Sequence, residues 1–151
     1  MTPIQPLLHR FILVCAASVV LLAGCTPDTF VASPDPGWHA VEIGVDISSD
    51  TAWKSVVDLM AKQFDLEVLS KENGYLRTAW NNTWTGELNE DYRVRALVKF
   101  NYDRRIIEFK AEAQSYGGGF LGMGKDWRLG TDERLVTMLK KELKKKVAGT
   151  L

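Results

Sequence analysis

The stretch YRVRALVKFNYDRRIIEFKAEAQS, Tyr92 to Ser115, decides the fold. In its first half Tyr92, Val94, Ala96, Val98, Phe100 and Tyr102 alternate with Arg93, Arg95, Lys99 and Asn101. A period of two residues is that of a β-strand with one face buried and the other in water. After a tight turn near Asp103-Arg104 the pattern resumes from Ile106 to Ser115, with Ile107, Phe109, Ala111 and Ala113 set against Glu108, Lys110, Glu112 and Gln114. The two runs predict neighbouring antiparallel strands. Basic side chains on one strand and acidic ones on the next suit cross-strand pairing. Since only one face is apolar, helices should cover that face alone.

Toward the N-terminus, Leu66–Ser70 and Tyr75–Trp84 read as two more strands, joined by a turn at Lys71-Glu72-Asn73-Gly74 in which Asn-Gly tolerates positive φ. In the second of these, Leu76, Thr78, Trp80 and Asn82 are expected on one face, with Trp80 in the core, and Tyr75, Arg77, Ala79 and Asn81 on the other. Before them Trp53, Val56, Val57, Met60, Ala61 and Phe64 follow helical spacing, with Ser48, Ser49 and Asp50 as N-cap candidates. Trp38 to Ile47 alternates, placing Val41, Ile43, Val45 and Ile47 together as a first strand. Toward the C-terminus a glycine-rich segment, 117–124, precedes a last helix capped by Thr131. Its stripe is Leu135, Met138, Leu139, Leu143 and Val147, and Gly149 can end it. Asp132 and Glu133 in its first turn and Lys144, Lys145 and Lys146 in its last complement the helix dipole. The order β-α-β-β-β-β-α predicts an α+β domain: an antiparallel sheet of four or five strands with two helices on one face.

The chain has 151 residues, with 19 Lys+Arg balanced by 19 Asp+Glu. Hydrophobic residues are 46% and charged residues 25%, the composition of a globular protein. Zero net charge argues against nucleic-acid binding, which needs a basic footprint, and against an acidic disordered tail. Two Cys and two His are too few for a zinc cluster or a disulfide framework.

The N-terminus is an address. Arg10 is followed by a wholly apolar or small run, Phe11 to Ala23, of secretory-signal length and too short to span a bilayer as a helix. Leu22-Ala23-Gly24-Cys25 resembles the lipobox of bacterial lipoproteins. The resemblance implies that the Cys25 sulfur receives a diacylglyceryl group, that the leader 1–24 is cut away, and that the new amine is often acylated. The membrane is then a partner through acyl chains on Cys25, where more than one chain gives stable anchoring. Thr26 after the Cys, in place of the Asp that signals inner-membrane retention in that family, implies the outer membrane facing the periplasm. The alternatives are an ordinary secretory signal with a chance Cys, or an uncleaved helix. Residues 25–37, with three prolines between Thr26 and Gly37, read as a tether of about 40 Å reach when extended, or, around Phe30 and Val31, as a loop packed on the domain. Residues 38–151 form a single α+β domain.

Within that domain TAWKSVVDLMAKQFDLEVLSKENGYLRTAW, Thr51 to Trp80, resembles the domains of the BamC (NlpB) lipoproteins of the β-barrel assembly machinery. Shared are a Trp early in the first helix, a following strand, and a Gly opening a strand of the type Y-L-R-T-x-W. The resemblance implies a helix-grip fold. The chain reads as one such domain where that family has two, without its long unstructured N-terminal segment.

Chemistry is sparse. His39 is the one His after the leader and no G-x-S-x-G elbow exists, so His39 reads as a rim or core residue. No catalytic, cofactor-binding or metal-ligating set emerges, and no cofactor is expected. Glu87, Glu90 and Asp91 cluster in a polar loop. The segment Gly117 to Gly124 lacks the context of a phosphate loop. Its Phe120, Leu121 and Met123 either fold onto the core or form an apolar tip that touches a membrane or partner. Trp80, Trp84 and Trp127 with Arg77, Arg93, Arg95 and Arg128 are candidates for an aromatic-basic partner surface. The lysines between Lys140 and Lys146 read as the wet face of the last helix, or as a contact with anionic lipid. The reading that follows is a lipid-anchored, non-enzymatic periplasmic domain that binds another envelope protein in outer-membrane assembly or maintenance. The alternatives are a lipoprotein that binds a small ligand, lipid or glycan in the groove between the sheet and the last helix, and an envelope hydrolase using carboxylates.

Overall fold

The computed structural model describes residues 26–118 and 125–148. Among these lie β1 (Phe30–Ala32), β2 (His39–Glu42), α1 (Ser49–Ala61), β3 (Leu66–Ser70), β4 (Tyr75–Thr78), β5 (Tyr92–Phe100), β6 (Ile106–Gly118), β7 (Lys125–Asp132) and α2 (Glu133–Val147). The strands form one open antiparallel sheet in the order β1-β7-β6-β5-β4-β3, with β2 also on β6. β5 takes one edge of β6 from Ile107 to Ser115. The other edge is shared by β2, opposite Ile106–Phe109, and β7, opposite Ala113–Gly118.

The α+β class, the antiparallel sheet and the two helices are as expected, but the sheet has seven strands rather than four or five. The added strands are β1 and β7. β7 carries no apolar alternation because its core-side positions include Gly130 and Asp132, across from Ala113 and Phe30. Thr131 is still strand, its hydroxyl donating to the Ala111 carbonyl at 2.8 Å, so the cap of α2 is Asp132, whose carboxylate accepts from the Leu135 amide at 2.7 Å. Around Phe30 and Val31 the structure favours the second of the two readings, packing on the domain, over the tether. Phe30–Ala32 pairs with β7, the Thr29 carbonyl accepts from the Glu133 amide at 2.9 Å, and the Ser33 amide donates to Leu129 at 3.1 Å. Gly130 permits this: a Cβ there would collide with the Val31 carbonyl and the Phe30 ring.

β2 is shorter than Trp38–Ile47. Val41 and Ile43 are buried, but Val45 is 87% exposed. β6 begins at Ile106, the partner of Glu42, so no ladder continues beyond it. The chain turns instead, with the Gly44 amide donating to Val147 at 2.7 Å and the Arg105 guanidinium reaching the Ile43, Gly44 and Ile47 carbonyls at 3.3–3.4 Å.

The expected strand Tyr75–Trp84 ends as a ladder at Thr78. Leu76 faces Val98, so strict alternation would set Trp80 opposite Val94, yet Asn81 occupies that place. One extra residue is a bulge, and it sends the next side chain to the opposite face. The Thr78 hydroxyl fills the gap, accepting from the Ala96 amide at 3.0 Å.

In α1, capped by Ser48, the buried residues are Ala52, Trp53, Val56, Leu59 and Met60, with Phe64 just beyond. Leu59 takes the place expected of Ala61, which is exposed. In α2, Leu135, Leu139, Leu143 and Val147 are fully buried at spacings of four. These stripes and the inner face of the sheet form one core, so both helices cover the same face. Inside it the Tyr92 hydroxyl donates to Asp132 Oδ2 at 2.6 Å and the Thr29 hydroxyl donates to the same oxygen at 2.8 Å. Asp132 is fully buried and Tyr92 1% exposed. Burial, reinforced by the hydrogen bond to Asp132 and its charge, raises the phenol above its ordinary pKa.

Candidate functional site

The face of the sheet that the helices leave open is built by the same alternation that makes the core. Register sets Arg93 against Gln114, Arg95 against Glu112 and Lys99 against Glu108. The Arg95 guanidinium meets Glu112 Oε2 at 2.7 Å and Lys99 meets Glu108 at 3.1 Å. Arg77 of β4 bonds Glu67 of β3 at 3.1 Å, and Lys110 bonds Asp35 at 3.2 Å. The half-exposed pairs Arg77–Glu67 and Lys99–Glu108 fix side-chain positions more than they add stability, whereas Arg95–Glu112 is largely buried.

Aromatic planes lie among these charges. The bulge places Trp80 beneath Arg95 at 4.3 Å and Arg93 at 4.8 Å. Trp127 of β7 lies 4.2 Å from Arg93 and 5.3 Å from the Tyr116 ring across the ladder. Trp38 lies 4.3 Å from Lys99 and 5.1 Å from Lys110. Three tryptophans remote in sequence therefore share one surface, each stacked against a cation.

Arg93 stands apart from its neighbours. Its Nε and Nη2 both donate to Gln114 Oε1, at 2.9 and 2.7 Å, and Gln114 is neutral. Among the described residues no carboxylate lies within ion-pair reach of it. Partial burial, and then the charge of Arg95, lower its pKa, yet an Arg so placed keeps its proton at physiological pH. The face thus holds a cation that no carboxylate among the described residues pairs, clasped by two indoles.

A cavity of about 460 Å³ opens beside Trp80, lined by Lys62, Phe64, Asp65, Asn81 and Thr83 among others. The space between the sheet and α2, by contrast, is filled by Leu135, Leu139, Leu143 and Val147.

Of the residues singled out in sequence, Arg77, Arg93, Arg95 and Trp127 meet on the open face. Trp80 joins them there rather than entering the core. Trp84 does not: it stacks on Phe64 at 6.0 Å on the helix side, with Arg134 at 5.5 Å, and its indole N–H is buried without an acceptor. Arg128 faces Ser115, a core-side position, so it lies on the side opposite Trp127. His39 stacks on Phe109 at 5.2 Å. Glu87, Glu90 and Asp91 are exposed in the loop before β5. Lys140, Lys141 and Lys144–Lys146 are exposed on α2. Leu22, Ala23, Gly24, Cys25, Phe120, Leu121 and Met123 lie outside the described residues. Sequence reasoning missed Trp38 as a surface residue. Its signal was position alone, next to Pro36-Gly37 and ahead of a strand pairing with β6. Aromatic planes, guanidinium groups and fixed carboxylates equip this face to bind.

No family model matches the chain. The curated proteins likewise hold no significant match to it.

Proposed function

We propose that this chain is a lipid-anchored, non-enzymatic domain of the periplasm, held at the outer membrane through Cys25, and that its open sheet face binds another envelope protein in outer-membrane assembly or maintenance. The observation that carries the binding role is the cluster of Trp38, Trp80 and Trp127 around cations, with Arg93 left without a carboxylate among the described residues. Trp and Arg dominate the energetics of protein interfaces because they bury large areas with few rotatable bonds and carry directional donors. The leader and its L-A-G-C motif support the anchor. The run β2-α1-β3-β4-β5-β6-β7-α2, a helix inserted after an early strand and a long helix closing the chain, supports the helix-grip reading and the resemblance to BamC-type domains.

Photocrosslinking in intact envelopes tests the binding role. A photoreactive residue at Arg77, on the rim of the face, is expected to capture one discrete envelope protein, and Trp80→Ala or Arg95→Ala in the same chain is expected to abolish the capture. Equal capture from a photoreactive residue at Lys141, on the far side of the molecule, overturns the assignment of the face. The anchor is tested separately: a Cys25→Ser chain should lose membrane partitioning and accumulate as precursor, and full retention in membranes removes that part.

A second reading, a glycan or other polar ligand, draws on the cavity lined by Trp80 together with Asn81, Thr83 and Asp65. Aromatic planes beside amide and hydroxyl groups suit such ligands. Native mass spectrometry of the mature chain would reveal one by its added mass.

A further inference from the structure

The two ends of the sheet differ, and the chain itself says which lies nearer the anchor. Thr26, the residue after Cys25, has its hydroxyl 2.9 Å from that of Ser115 on β6. Four residues on, β1 is locked into the sheet by pairing with β7. The segment that could have been a long tether is therefore docked, and one peptide unit separates the docked chain from the Cys.

The side chains gathered at that end are those of a membrane interface. Tyr116 and Trp127 pair across the ladder at 5.3 Å. Arg128 is exposed at the same end, on the opposite side of β7 from Trp127. The Tyr116 amide donates to the Asp91 carbonyl at 2.7 Å, which fastens the loop bearing Leu88, 67% exposed. Tyr and Trp settle at headgroup depth, where one part of the ring is apolar and another polar. Arg extends its charge toward phosphates while its stem stays in apolar surroundings.

The lysine-rich end lies elsewhere. α2 starts beside Thr29, whose carbonyl holds the Glu133 amide, and ends at Gly44, whose amide holds Val147. At 1.5 Å per residue its fifteen residues run about 22 Å. Lys144–Lys146 are thus more than two Debye lengths, each about 8 Å at physiological salt, from the start of the helix. Their contribution to attraction at the anchored end is screened away.

We propose that the end of the sheet formed by Thr26, Leu88, Tyr116, Trp127 and Arg128 rests on the phospholipid leaflet that holds Cys25, with the Lys144–Lys146 turn directed away from it. This rests on the lipoprotein reading and deepens it. The domain sits upright on the bilayer instead of trailing from a stalk, and its open face stands along the membrane normal, accessible from the side.

The full chain, lipidated in cells and moved into vesicles of phosphatidylethanolamine with a minority of phosphatidylglycerol, provides the test. Because Cys15 leaves with the leader and Cys25 is acylated, a single introduced cysteine labels uniquely. Arg128→Cys and Lys145→Cys, both at exposed positions, each receive an environment-sensitive fluorophore, and lipids with a shallow nitroxide act as quencher. The label at 128 should shift to the blue and be quenched several-fold more than the label at 145. Equal quenching, stronger quenching at 145, or none at either position while the protein floats with the vesicles overturns the orientation. Flotation of the Cys25→Ser chain to the same extent as the parent overturns the lipoprotein reading, and the proposal with it.

Discussion

The two faces of one sheet are made from alternate residues of the same strands, and they do opposite things. On the covered face Val94, Ala96, Val98, Ile107, Phe109 and Ala111 are at most 1% exposed beneath two helices. There the Asp132 carboxylate is matched by Tyr92, Thr29 and the Leu135 amide, while the Trp84 indole N–H has no acceptor among the described residues. On the open face Arg93, Arg95, Lys99 and Lys110 stay half-buried among tryptophans, and one of them lacks an acid. On the proposed function, the difference teaches where stability and recognition are divided. Burial of close-packed aliphatic surface holds the fold, since deleting buried methylenes leaves a cavity that partly persists. Half-exposed ion pairs such as Arg77–Glu67 and Lys99–Glu108 contribute little, so their charge can be arranged for a partner at small cost to the fold.

If that division is right, the largest stability effects must lie on the covered side. Leu139 is fully buried in the middle of α2, and Leu139→Ala should destabilise by about 3–4 kcal/mol, within the range for such truncations. The urea midpoint should fall with the slope nearly unchanged. A loss no larger than that of Lys99→Ala, whose ion pair with Glu108 is half-exposed, measured the same way, would break the comparison.

Much of this contrast was legible in sequence. The alternation of β5 and β6 marks both faces, and the turn at Lys71–Gly74 needs the positive φ that Gly74 adopts, +60°. What stayed hidden has physical causes. β1 is made by pairing with β7 about a hundred positions away, and β7, although its ladder with β6 is local, has no local period because its inward residues include a glycine and a capping aspartate. Trp80 changed faces because of one residue inserted after Thr78, a defect that a period-two reading has no means to see. Trp38 could not be assigned to the open face without knowing that β2 returns beside β6 and brings the residue before it over Lys99 and Lys110. The site was legible as a composition of Trp and Arg, but which of them meet was not.

A middle-sized effect comes from the one buried phenol. Tyr92 has its pKa raised in the fold, while an unfolded Tyr ionises near ~10. A raised value means that the native state keeps the proton longer. The stabilisation is then fully present below pH ~10 and is lost as pH climbs beyond it, at about 1.4 kcal/mol per pH unit from this group alone. Urea titrations on either side of pH ~10 should show that decline, and Tyr92→Phe should flatten it while lowering stability at neutral pH through the lost bond to Asp132. An unchanged slope in the Phe chain would move the alkaline sensitivity away from the core.

The smallest effect on stability should be the sharpest on recognition. Gln114 gives Arg93 hydrogen bonds without a charge, so Gln114→Glu keeps the geometry and supplies the missing carboxylate. As a half-exposed pair it should change the unfolding free energy by no more than about 1 kcal/mol, toward greater stability. If Arg93 is held uncompensated for an acidic or carbonyl group on a partner, the same substitution should weaken capture by the open face about tenfold, or about 1.4 kcal/mol. Gln114→Ala serves as the control, since it removes the hydrogen bonds and leaves the charge free. Weakened capture in the Glu chain with capture retained in the Ala chain ties the function to the charge of Arg93. Equal loss in both would mean that only the orientation of its guanidinium matters, and equal retention would place the partner's contacts elsewhere on the sheet.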